Sequence, residues 1–154
     1  MNAAAITIDA HPLIERLAGS ALARWIGLAD VDAFISAPGD HVLFFHSDPV
    51  RFPECLDVAV VLPELAAAHP GRFDVGVVVP ADAEALSQRF GRPKWPSLVF
   101  FRDGRYVTSI GGILDWTDYV ERVGAALAMQ PTRVPIGIPV AVEGGASAGC
   151  GGAA

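Results

Sequence analysis

The dipeptide Asp103-Gly104 stands between two apolar runs, Ser97-Leu98-Val99-Phe100-Phe101 and Arg105-Tyr106-Val107-Thr108-Ser109-Ile110. Asp-Gly suits a two-residue turn of type I′, in which both central residues take positive φ, so the spacing predicts a tight antiparallel hairpin. What precedes this hairpin must therefore supply the rest of a sheet. Residues 41–46 and 73–79 are apolar runs of buried-strand length. Each leads into a helical pattern. Val58, Val61, Leu62 and Leu65 fall at the i, i+3, i+4, i+7 spacing of an amphipathic helix, which Pro63 is expected to kink. Residues 81–90 form a shorter helix closed by Gly91, with Asp82 and Glu84 as its expected caps.

Two further helices flank this β-α-β unit. Leu13, Ile14 and Leu17, then Leu22, Trp25 and Ile26, read as one helix over residues 11–26, with Pro12 suited to its first turn. Gly111-Gly112 ends the hairpin, and Asp115 is expected to cap a last helix with Trp116, Tyr119, Val120, Val123 and Leu127 on one face. The fold class that follows is α/β, a central mixed sheet of about four to five strands flanked by helices.

At 154 residues the chain fits one domain. We place that domain at residues 1–130. Residues 131–154 are rich in Pro, Gly and Ala, have no helical period and read as a flexible tail, although 134–142 are apolar enough to dock on the body. Charges, Pro or Gly break every apolar run short of the roughly 18 residues a membrane span needs, and the start lacks the basic and apolar regions of a secretory signal. The expected location is the cytoplasm. A net charge of -6 disfavours nucleic acid, which needs clustered Lys and Arg, and favours basic partners. Cys55 and Cys150 are too distant in sequence for a redox or zinc motif, and His11, His41, His46 and His69 lack ligand spacing. No metal and no cofactor are expected.

The order of elements resembles thioredoxin over about residues 40–128, and Trp95-Pro96-Ser97 falls where thioredoxins place their cis-proline. The frequency of X-Pro bonds alone would make this bond trans, whereas the resemblance implies cis. Counting back from Val58-Ala59-Val60-Val61-Leu62 puts Phe52-Pro53-Glu54-Cys55 at the place of the Cys-x-x-Cys motif. The attacking cysteine is thus Phe52. A lone Cys55 cannot complete a dithiol cycle, which needs one thiolate to attack and a second thiol to release the mixed disulfide. The run from Phe52 to Leu65 and the run from Lys94 to Gly104 are further similar to the HyaE/HupG/HoxO-type accessory proteins, over nearly all of residues 11–127. That resemblance implies a redox-inactive, thioredoxin-like chaperone in nickel-iron uptake hydrogenase maturation. Its implied partner is the small-subunit precursor with its twin-arginine signal peptide, bound before export, and possible further partners are other hydrogenase accessory proteins.

The candidate partner-binding residues are Asp48, Phe52, Glu54, Asp57, Glu64, Trp95 and Pro96. In thioredoxins the backbone just before the cis-proline pairs with an extended client, a form of strand addition. Trp95 reads equally as a wall of that groove and as partly buried core. Carboxylates at 48, 54, 57 and 64 could receive arginines bidentately. A helix start favours carboxylates through its dipole with or without a client, so the group rather than any one of them is the candidate. Cys55 reads either as a small buried residue or as a reactive thiol at a helix start, and His46 reads as core. Two other functions are open at this stage: a single-cysteine thiol exchanger or peroxidase using Cys55, and a structural docking subunit of a larger assembly.

Overall fold

Five strands form one mixed sheet in the order β1-β3-β2-β4-β5 in the computed structural model, which describes residues 8–135. The elements are α1 (Pro12–Ala18), β1 (Ala23–Ile26), α2 (Val31–Ser36), β2 (Asp40–Phe45), α3 (Glu54–Ala68), β3 (Phe73–Val78), α4 (Ala83–Arg89), β4 (Ser97–Arg102), β5 (Arg105–Gly111) and α5 (Trp116–Ala128). Strand β3 pairs in parallel with both β1 and β2, while β2/β4 and β4/β5 are antiparallel. The expected α/β architecture is present, with five strands. No helix of the described residues is long and apolar enough to cross a membrane.

Helices cover both faces of the sheet, which explains why Val42–Phe45 of β2 form an unbroken apolar run. Successive side chains of a strand point to opposite faces. Val42 and Phe44 accordingly join Ile14, Leu62, Tyr119 and Val123 of α1, α3 and α5. Leu43 and Phe45 join Phe34 of α2 and Leu86 of α4 on the other side. All four of these β2 side chains are fully buried, and so is Leu62. Truncating a side chain in such a position to alanine costs about 2–5 kcal/mol.

The hairpin forms as its dipeptide predicts: Asp103 and Gly104 take φ of 52° and 84°. Helix α4, preceded by a short 3₁₀ turn at Pro80–Asp82, also ends as expected. Gly91 takes φ 84°, and Arg92 N–H reaches back to Ser87 O at 2.7 Å, the longer bond of a Schellman cap.

Three local expectations are corrected, for the helix over 11–26, the helix caps and Trp116. The helix over 11–26 is two elements: α1 stops at Ala18 because Gly19 and Ser20 turn the chain, and Ala23–Ile26 is an edge strand on β3. Helix α3, which carries Pro63 at an exposed position, continues to Ala68. Asp82 holds the N-cap position of α4, but its carboxylate accepts instead from Leu28 N–H at 2.9 Å, tying the β1–α2 loop to the end of β3. Glu84 accepts from Gln88 of its own helix, and Asp115 caps α5 by position alone, without a side-chain bond. Trp116 leaves the apolar face of α5: Tyr119, Val123 and Leu127 are buried, whereas Trp116 is 49% exposed.

Arg102 fastens the end of α5 to the sheet. Its Nε donates to Asp40 Oδ1 at 2.5 Å, and its other nitrogens donate to the carbonyls of Leu127 at 2.9 Å and Met129 at 2.6 Å. One guanidinium thus satisfies C-terminal carbonyls of α5 that have no partner inside the helix. Beyond α5, Thr132 N–H donates to Tyr106 O at 2.7 Å and its hydroxyl to Val107 O at 2.9 Å. Val134 then packs against the Phe101 side of the core. Residues 136–154, which hold most of the predicted tail and Cys150, lie outside the described residues.

Candidate functional site

Strand register brings three loops to one end of the sheet. Phe45, the last residue of β2, lies opposite Ser97, the first of β4, and Ser97 lies opposite Gly111, the last of β5. The loop leaving β2, the loop that leads into β4 and the loop leaving β5 therefore meet. The Trp95-Pro96 bond is cis, in keeping with the thioredoxin resemblance. Gly112 N–H donates to Pro96 O at 2.8 Å, and Tyr119 donates its hydroxyl to Gly112 O at 2.7 Å. Burial pushes the Tyr119 phenol up to about 12, and the negative charge of Asp57 adds to the shift.

Next to this anchored proline the backbone is free. Neither Lys94 nor Trp95 commits its N–H or C=O to a hydrogen bond among the described residues. The Trp95 ring is half-buried, its centroid 6.0 Å from that of Phe45, so it serves the core with one part and lines the surface with the other. Ser97, 1% exposed, keeps a buried hydroxyl without a partner among the described residues.

The loop after β2 is a compact turn built on Asp48. Its carbonyl accepts from Arg51 N–H at 3.1 Å and Phe52 N–H at 2.8 Å, and its carboxylate accepts from Val50 N–H at 3.0 Å. Phe52 is half-buried, with the Arg51 guanidinium 5.5 Å over its ring. Cys55 is fully buried in the first turn of α3, and Ser47 N–H donates to its sulfur at 3.4 Å. Burial pushes the thiol up, and the neighbouring Glu54 carboxylate pushes in the same direction. A thiol held in its neutral form is a poor nucleophile.

Asp48, Phe52, Glu54, Trp95 and Pro96 thus stand at one end of the sheet, with Asp57 one turn into α3 and within electrostatic reach of Tyr119. Glu64 does not join them, because ten residues of helix from Glu54 carry it about 15 Å along α3. Val50 and Ile113, 89% and 40% exposed, are apolar side chains on these same loops, joined by Trp116 at the start of α5. Sequence periodicity had no means of marking the first two, and it assigned Trp116 to the core.

A cleft of about 490 Å³ opens on the α1 side of the β2–α3 loop. Asp9, His11, Ile14, His46, Asp48 and Pro80 line it. His46, 3% exposed, donates Nε2–H to Val78 O at 2.9 Å. Burial lowers its pKa, so the ring is neutral and Nδ1 is an acceptor. His11 turns its Nδ1 to Leu13 N–H at 3.1 Å and caps α1. The cleft was not legible in the sequence, since Asp9 and Asp48 are distant along the chain and His46 belongs to an apolar run. Among the described residues no group of three His, Cys, Asp or Glu side chains is arranged to hold a metal.

A family model described as "Hydrogenase-1 expression protein HyaE" matches residues 13–119. The chain belongs to the HyaE family. The hydrogenase expression/formation protein HoxO of Cupriavidus necator is 49% identical over 138 residues, spanning 87% of this chain and 86% of that protein. Hydrogenase expression/formation protein HupG of Bradyrhizobium diazoefficiens is 41% identical over 122 residues, 71% of this chain and 82% of its own length. A mutant thioredoxin from Halobacterium salinarum superposes with a TM-score of 0.56 at 21% identity, over 70% of this chain and 91% of that one. The likeness establishes a thioredoxin-like fold. Membership in the HyaE family carries a role in hydrogenase expression or formation at that level of description.

Proposed function

We propose that this HyaE-family chain is a cytoplasmic, non-catalytic chaperone in the maturation of a nickel-iron uptake hydrogenase. It receives the small-subunit precursor through its twin-arginine signal peptide, before export. Extended peptide lies along the backbone at Lys94-Trp95, with Asp48, Glu54 and Asp57 facing its arginines and Phe52, Trp95 and Pro96 facing its apolar side chains.

The unpaired backbone of Lys94 and Trp95 carries this reading. Extended loop backbone with free donors and acceptors, set among exposed apolar side chains at the end of a sheet, pairs with an extended peptide, because main-chain bonds supply affinity and flanking side chains supply selectivity. The buried Cys55 thiol, with no second cysteine near it among the described residues, supports binding over thiol exchange. Calorimetry with a synthetic signal peptide and the full chain tests the proposal. Micromolar binding that weakens when both peptide arginines become glutamine, and weakens with salt, is the expected result; no binding of the peptide or the whole precursor rejects it.

A further inference from the structure

We propose that the cleft between α1 and the β2–α3 loop is a binding site for one arginine side chain, a site built on Asp9, His46 and Asp48. The inference deepens the peptide-binding reading and rests on it, while the cleft itself is argued from its own chemistry.

The Asp9 and Asp48 carboxylates are acceptors in the cleft, while His11, whose Nδ1 accepts from Leu13 N–H, keeps its proton on Nε2. Asp48 gives one carboxylate oxygen to Val50 N–H, which leaves the other for a ligand. Asp9 is exposed and lines the cleft. His46 is the independent sign of a ligand. Its ring is 3% exposed and its Nε2–H is spent on Val78 O. Its Nδ1 has no partner, yet among the described residues the fully occluded unpartnered side-chain atoms are His69 Nε2 and Ser97 Oγ, so Nδ1 is not fully occluded. Nδ1 therefore opens onto the cleft that the residue lines.

Two carboxylates and a neutral imidazole acceptor, presented from different directions, call for a cation with several divergent N–H donors. A guanidinium carries five donors in a planar fork, whereas an ammonium carries three from one point. Ile14 and Pro80 form apolar wall for the methylene stem. A volume of about 490 Å³ is ample for one such side chain and its water. A client strand beside Trp95 and an arginine in this cleft would engage the two sides of the same β2–α3 loop.

The test is a nitrogen-15 NMR titration of the full chain with Nα-acetyl-arginine amide, with its citrulline counterpart as the uncharged isostere and its lysine counterpart as the point charge. Arginine amide is expected to shift the amides of Ala10, Ser47 and Asp48, citrulline amide to bind at least about tenfold more weakly, and lysine amide to fall between them. The surface double variant D9N/D48N should lose about tenfold in arginine affinity while its remaining spectrum stays that of the folded wild type. Equal binding of citrulline, or shifts confined to other parts of the chain, overturns the proposal. A signal peptide that binds D9N/D48N as tightly as wild type overturns the cleft and leaves the client reading standing. Arginine amide that binds here while the peptide and precursor do not would sink the client reading alone.

Discussion

Tyr119 holds Gly112 in place: its hydroxyl donates to Gly112 O at 2.7 Å, and Gly112 N–H donates on to Pro96 O at 2.8 Å. Helix α5 thus reaches the proline loop through one relay. Tyr119→Phe removes a buried hydrogen bond, so stability should fall by about 1 kcal/mol. The pH dependence has a definite sign. Burial lifts the phenol from its ordinary 10 to about 12, so the folded protein keeps a proton that the unfolded chain gives up. The associated stability is complete below pH 10 and is lost as pH rises from 10 through about 12. Urea unfolding near pH 9 and near pH 11 should therefore show a larger loss in wild type than in Tyr119→Phe. Equal losses would show that Tyr119 does not carry the titration.

Arg102 bridges Asp40 and the last carbonyls of α5. Replacing it with methionine leaves a largely buried carboxylate and several helix-end carbonyls unmet, and should cost about 3 kcal/mol in denaturant unfolding. Lysine should recover less than half of that loss, because it lacks the planar fork.

Cys55 is buried in its neutral form. Cys55→Ala should leave signal-peptide affinity within about twofold of wild type, after a modest loss of stability near 1 kcal/mol from the missing sulfur. Iodoacetamide should label the native thiol far more slowly than the unfolded one. Rapid native labelling together with loss of hydrogenase maturation in the variant would restore the thiol-exchange reading.

Ser97 carries a buried hydroxyl with no partner among the described residues. Ser97→Ala should keep or raise stability, by up to about 1 kcal/mol, because an unmet hydroxyl is costly to bury. Urea unfolding checks it directly, and destabilisation beyond that amount would reveal a bond to the hydroxyl.

The parts of this fold that read correctly from sequence are those governed by local chemistry. Asp103-Gly104 specifies its turn through two positive φ angles, and Gly91 ends α4 in the same way. Residues 42–45, between His41 and His46, declare a strand covered on both faces because nothing polar interrupts them. Strand β1 failed for a non-local reason: its four residues are too few to alternate, Leu22, Trp25 and Ile26 continue the helical spacing of α1, and only pairing with Val75–Val78 makes them a strand. Helix α2 is only six residues long, too short for its apolar residues to show a helical period, although Asp30 stands at its N-cap. At the site, the family resemblance located the β2–α3 loop and Trp95-Pro96. The cleft beside them depends on Asp9 and Pro80 meeting His46 across distant elements, and no spacing rule could bring those together.

The two bonds from Thr132 have a consequence for how copies of this molecule behave in a crowded solution. An outer strand with open carbonyls is a template on which another chain's strand can assemble. At the start of β5 the chain covers part of that template itself, since Thr132 occupies the carbonyls of Tyr106 and Val107. At the other margin, β1 offers only four residues. The sheet therefore offers a second copy only short stretches of open margin on either side, while the step before Pro96 displays free backbone of its own among the described residues.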